Sequence, residues 1–145
     1  MAELLLIVCL AGRRIAIASS DVEAVVELEG MTPVPGAAPH IAGLSALRSR
    51  VLTVIDSRAS LGLPALPVGE ISEAIVVTSG GHTYALLVDQ IEDVVEADGE
   101  SGPVKASPGP GWDRAAKGMI DVAGDLLLLA DPHAIIAGPP VLQAA

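Results

Sequence analysis

The chain has no phenylalanine, one tyrosine (Tyr84), one tryptophan (Trp112) and one cysteine (Cys9) in 145 residues. So few aromatics leave the core to be built from aliphatic side chains. A single cysteine excludes a disulfide framework and a cysteine-based zinc site, and it suits a reducing compartment. Positive charge is scarce as well: 8 Lys and Arg oppose 18 Asp and Glu, for a formal net charge of −10. Phosphate backbones and anionic membrane surfaces repel such a chain, so nucleic acid is a poor partner for it. A long apolar run is also missing. Leu4 to Gly12 is too short to span a bilayer. Glu3 stands where a signal peptide carries a cation, and Arg13 and Arg14 follow the apolar run instead of preceding it. The expectation is a cytoplasmic protein with no direct membrane insertion.

What is present is aliphatic: 18 Leu, 16 Val and 11 Ile, in a chain that is 51% hydrophobic. That composition supports a sizeable core and argues against disorder. The apolar segments are short, rich in Val, Ile and Leu, and interrupted by Gly and Pro, which predicts strands. They fall near 4–10, 13–18, 22–29, 41–47, 50–56, 71–79, 83–88, 91–97, 117–122 and 125–130. Brief helical pieces are expected at Arg58–Leu61 and Pro132–Ile136, and the Gly/Pro-rich stretch 98–116 reads as a long surface loop. Ten short strands define an all-β barrel or sandwich.

The strands repeat. Gly12–Glu27 lies over Gly81–Glu96 with six of 16 positions identical, and Gly43–Leu61 lies over Gly118–Ile136 with Asp56 meeting Asp131. Residues 4–62 and 71–137 therefore read as two copies of one β unit within a single domain. The copies differ in charge. Residues 1–70 hold 5 basic and 7 acidic side chains (net −2), residues 71–145 hold 3 and 11 (net −8). Leu47-Arg48-Ser49-Arg50 gives one inter-strand turn a basic rim, where the other copy has Val122-Ala123-Gly124-Asp125. Opposite charge on equivalent turns suits an adaptor with two distinct docking surfaces.

Catalytic chemistry is hard to place. His40, His82 and His133 are scattered beside predicted turns and read as solvated loop residues, and there is no paired metal-ligand spacing. The phosphate-cradling and nucleophile-elbow motifs are missing. An aspartic dyad of Asp56 and Asp131 is the one hydrolase alternative, but Ser57-Arg58 and Pro132-His133 follow where that chemistry needs a glycine. Each Asp is better read as the cap of the helical turn that follows its strand. Cys9, within a strand, is expected to be buried, and Trp112 either anchors a partner or covers a barrel end. Arg48, Arg50 and Arg58 form the basic cluster; Arg48 at its hairpin offers planar, bidentate recognition.

These residues resemble the CheW family of bacterial chemotaxis coupling proteins. The likeness is densest over Val22–Gly62, where Gly43, Leu47, Arg48, Val51, Val54, Ile55, Asp56 and Arg58 fall on the family pattern. Tyr84–Asp89, Ile91–Val95 and Gly118–Asp131 match its second half, while Ala46, Ser49, Thr53 and Ser57 depart from it. The resemblance implies two five-stranded SH3-like barrels around a shared aliphatic core, and a scaffold without catalysis or cofactor. Its implied partners are the regulatory domain of a CheA-like histidine kinase and the cytoplasmic tip of a methyl-accepting receptor. It implies a receptor groove at Val22, Gly43, Arg48 and Val51, and a kinase face on exposed apolar residues of the second barrel, Ala85 and Ile91 among them.

Overall fold

The computed structural model describes residues 3–64, 71–97, 99–104 and 108–138. The first half of the chain supplies β1 (Leu4–Leu10), β2 (Arg13–Ala18), β3 (Ala24–Glu29), β4 (Ile41–Leu47) and β5 (Arg50–Asp56), then the single helical turn α1 (Ser57–Ser60). The second half supplies β6 (Ile71–Ser79), β7 (His82–Leu87), β8 (Gln90–Glu96), α2 (Pro110–Ala115), β9 (Ala116–Val122), β10 (Asp125–Ala130) and α3 (Pro132–Ala137). All ten expected strands form. β3 starts two residues later than expected because Ser19–Asp21 closes a turn of 3-10 helix first.

Two five-stranded sheets result, with strand orders β8-β1-β2-β10-β9 (sheet I) and β3-β6-β7-β5-β4 (sheet II). Adding or subtracting five from each strand number converts one order into the other. The registers agree too: the parallel pair Leu128–Ile15 of sheet I stands where Thr53–Tyr84 stands in sheet II. Each sheet takes its central hairpin from one half of the chain and its flanking strands from the other. The two halves are therefore interlocked, and a barrel is not the property of either half alone.

That exchange explains the unbroken apolar runs. Strands buried on both faces lose the alternation of apolar and polar residues. Along β1, Leu5 and Ile7 point into the interior of sheet I, while Leu6, Val8 and Leu10 enter the core shared by both sheets. Along β6, Ala74 and Val76 fill sheet II and Ile75 and Val77 join the shared core. Ala16 and Ala85 hold equivalent inward positions in the two central hairpins.

Close backbone approach fixes a further pair of equivalents. Thr32 bridges Leu44, and Gly102 bridges Met119, each outside the regular strands. A Cβ on Gly43 would lie 2.5 Å from the Thr32 carbonyl oxygen, and one on Gly118 would lie 2.7 Å from that of Gly102. Only glycine lets these strands close.

The helical turns sit at the junction. Asp56 accepts from the Ala59 amide (3.1 Å) and Asp131 from the His133 amide (3.0 Å), so both aspartates are N-caps, as their place after a strand predicts. Arg114 of α2 donates to the main-chain oxygens of Ala134 and Ser60, tying α2 to both other turns. Burial without a carboxylate partner lowers its pKa from the usual guanidinium value.

The stretch 98–116 is not wholly a loop. α2 forms within it, and Trp112 is 5% exposed, packed into the shared core. Gly109-Pro110-Gly111 hid the helix, because glycine and proline depress helical propensity while Pro110 suits a first turn. His40 corrects another expectation. It is buried, with Nε2 3.0 Å from the Ile136 oxygen, whereas His82 and His133 are exposed. Cys9 is partly exposed rather than buried.

Candidate docking surfaces

The β4–β5 hairpin reaches the solvent at one end of sheet II. Leu47 pairs with Arg50, leaving Arg48 and Ser49 as a two-residue turn. Arg48 holds φ +59°, a left-handed conformation that glycine or asparagine adopts more readily. The hairpin turns of sheet I put Ala11 (φ +55°) and Ala123 (φ +49°) at the same kind of position, each followed by a glycine. Only the β4–β5 turn places a long cationic side chain there. Arg48 is exposed and makes no hydrogen bond or ion pair with any described residue.

The basic cluster is split by its partners. Arg58 is bound in bidentate fashion to Asp89, with Nε to Oδ1 at 3.1 Å and Nη2 to Oδ2 at 2.6 Å. The hydrogen bond to Asp89 raises the Arg58 pKa above its ordinary value. Arg50 donates to Glu23 Oε1 (2.9 Å) and to Thr83 Oγ1 (2.6 Å), and Thr78 donates to the other Glu23 oxygen (2.9 Å). The hydrogen bonds from Arg50, then from Thr78, hold the Glu23 carboxyl below the usual range. Two of the three arginines are thus held by the fold, while Arg48 pairs with none of the described residues.

The same three positions carry a different charge order in sheet I. Arg14 there bonds Glu92 (2.9 Å) and approaches Asp125 (3.6 Å), with its pKa raised chiefly by the Glu92 hydrogen bond. Glu92 is the counterpart of Glu23, Asp125 of Arg50 and Arg14 of Thr83. The cation has moved from β5 in one sheet to the central hairpin in the other. The identical glutamates of the sequence repeat were the signal for this network; their partners could not be read without the strand exchange.

The expected receptor residues meet unevenly. Val51 follows Arg50 on β5, and Val22 precedes Glu23, the residue Arg50 pairs with at 2.9 Å. Val51 is 69% exposed, and Leu44 on the paired strand β4 is exposed as well. Val22 is partly buried against the shared core. Gly43 is buried and has no side chain to present; it lets Thr32 close on β4.

The expected exposed kinase residues are corrected. Ala85 is 0% exposed, sealed inside sheet II because β7 is a central strand there, so it cannot touch a partner. Ile91 is half-buried on β8 of sheet I, and its amide donates to Glu73 (2.7 Å). The two lie in different sheets. The flanking strands expose Val25 and Val51 in sheet II and Val94 and Leu126 in sheet I at equivalent places, and sheet II also exposes Leu44. Among the described residues no three His, Cys, Asp or Glu side chains gather as a metal site, and no helix is long and apolar enough to cross a membrane.

Two interlocked five-stranded sheets around a shared aliphatic core, with short helical turns at the junction, define the structural class. A solved structure of the scaffolding protein TtCheW from Thermoanaerobacter tengcongensis has this fold, with a TM-score of 0.81 and 22% identity over 93% of this chain and 92% of that one. A chemotaxis protein CheW of Bacillus subtilis (strain 168) is 30% identical over 104 residues, 70% of this chain and 67% of its own. The family model described as CheW-like domain matches residues 4–140. The chain belongs to the CheW-like family.

Proposed function

We propose that the chain is a non-enzymatic chemotaxis adaptor that couples the cytoplasmic tips of methyl-accepting receptors to the regulatory domain of a CheA-like histidine kinase, in the cytoplasm. Family membership supports the adaptor role. The observation that carries the receptor assignment is Arg48, a cation without a partner among the described residues, on a left-handed turn near the exposed Val51. Val51 supplies apolar burial, Arg48 fixes the register of a carboxylate or carbonyl by charge-assisted hydrogen bonds, and Val22 and Gly43 shape the groove behind them. Residues 4–62 and 71–137 act in this reading as repeats of one domain, sheet II facing the receptor. The kinase is left the flanking strands of sheet I, with Ile91 at their margin and Ala85 withdrawn. A hydrolase built on Asp56 and Asp131 is disfavoured, since both carboxylates cap helical turns.

Co-precipitation of a receptor tip and a kinase regulatory domain with Arg48→Asp tests this. Receptor retention is expected to fall several-fold while kinase retention persists. Equal retention of both removes Arg48 from the receptor surface, and equal loss of both makes the effect one of folding.

A further inference from the structure

One end of the sheet II interior is closed by polar side chains. Alternate residues of a strand face the same way. Arg50 therefore shares a face of β5 with Leu52 and Val54, Thr78 shares one of β6 with Ala74 and Val76, and Thr83 shares one of β7 with Ala85. The apolar members fill the interior, and the polar ones stand at its rim. There they are bonded to one another through Glu23, the residue before β3. Arg50 Nη1 donates to Glu23 Oε1 (2.9 Å), Thr78 donates to Glu23 Oε2 (2.9 Å), and Arg50 Nη2 donates to Thr83 Oγ1 (2.6 Å). Thr78 and Thr83 are partners across β6 and β7, which closes the ring. The Glu23 amide is held as well, donating to the Val76 oxygen (2.8 Å).

The Arg48 turn extends from this ring. Parallel pairing of β5 with β7 runs from Asp56–Leu87 back to Thr53–Tyr84, so Arg50 and Val51 lie beyond its last pair, toward the turn. Leu52 anchors that part of the strand by burial, which has no preferred direction. Arg50 anchors it by a planar fork with both terminal nitrogens committed, which fixes direction. Arg50 also stands opposite Leu47, the residue before the turn, so both legs of the hairpin are set by it. In sheet I the hold on the matching turn is looser: Asp125, the counterpart of Arg50, approaches Arg14 at 3.6 Å. Global stability does not account for the ring, since the Arg50 and Glu23 side chains are 51% and 43% exposed and ion pairs so exposed contribute little to folding.

We propose that Arg50 and Glu23 are positioning residues, which hold the β4–β5 turn in the orientation in which Arg48 meets the receptor. The inference rests on the receptor reading above and adds the residues that prepare that surface. Backbone amide relaxation of the free full-length protein reads the positioning itself, and the binding isotherm of a receptor tip reads its use. Arg50→Met keeps an aliphatic stem and removes the fork. The Arg48 and Ser49 amides are expected to lose order in that variant, with the Leu52 and Val54 amides and the melting temperature held, and receptor affinity is expected to fall several-fold. Glu23→Gln keeps an oxygen for Arg50 and is expected to fall between Arg50→Met and the unaltered protein in both readouts. Thr83→Val removes a single bond of the ring and is expected to give the same pattern more weakly, so it decides the matter if Arg50→Met unfolds.

In an Arg48→Asn background, Arg50→Met is expected to cost no further affinity, because no guanidinium is left at the turn to position. Unchanged order at Arg48 and Ser49 overturns the proposal. An affinity loss that persists undiminished in the Arg48→Asn background overturns it too, and makes Arg50 a receptor contact. So does a melting temperature that falls in step with affinity, which makes the ring a purely structural device. If the unaltered protein binds no receptor tip, the adaptor reading falls, and the amide relaxation still decides whether Arg50 orders the turn.

Discussion

The two sheets use one framework for opposite ends. Sheet II presents an arginine on a left-handed turn beside the exposed Val51; sheet I presents Ala123-Gly124 on the equivalent turn beside the exposed Leu126. Both sheets keep a glutamate at the start of the flanking strand, Glu23 and Glu92, and both engage it with an arginine from a different strand. Shared positions thus secure the strand ends, while the side chains placed on the turns and connectors set what each end can meet. The difference teaches that charge order and the connectors, not the strand framework, separate the two surfaces.

The comparison breaks first at the junction. Trp112 sits on the helix found in the connector to sheet I and packs into the shared core, so Trp112→Ala is expected to cost about 3–5 kcal/mol in denaturant unfolding. A loss under about 1 kcal/mol would mean that α2 is an ornament of sheet I and not part of the common core. Next come the paired glycines. Gly43→Ala and Gly118→Ala each drive a methyl group into a bridging carbonyl, and each is expected to destabilise by about 1–3 kcal/mol. Unequal losses from these two would break the equivalence of the sheets at the backbone level.

The smallest effect concerns pH. Arg50 and Thr78 hold the Glu23 carboxyl below its ordinary value, so the folded state binds that proton less readily than the unfolded chain does. The resulting stabilisation is present above the ordinary carboxylate range and fades as pH falls through the lowered value. Thermal unfolding of the protein and of Glu23→Gln should therefore differ most at neutral pH and converge in acid. A gap that widens on acidification would contradict the assignment of the pair.

Much of the fold was legible in the residues. Short Val, Ile and Leu runs between Gly and Pro mark all ten strands, and Asp56 and Asp131 mark the turns they cap. Strand partners were not legible, because an apolar run reports burial and not which neighbour buries it. Ala85 suffered from that limit: it was placed on a surface, and the exchange of hairpins puts it inside sheet II. Trp112 and α2 were hidden by Gly109 and Gly111, whose weak local preference is overridden by packing of the indole. In the docking surface, the Arg48 turn was readable from the charge contrast between repeats. The division of labour among Arg48, Arg50 and Arg58 was not, since their acidic partners come from distant strands.

Arg48→Asn separates docking from folding in a single variant. Asparagine accepts the left-handed turn more readily than arginine but cannot supply a guanidinium. The binding isotherm of the variant with a receptor tip, read beside its melting temperature, is expected to weaken several-fold with the melting temperature held or raised. Unchanged affinity at unchanged stability would contradict the account, because the strained cation would then serve neither the turn nor a partner.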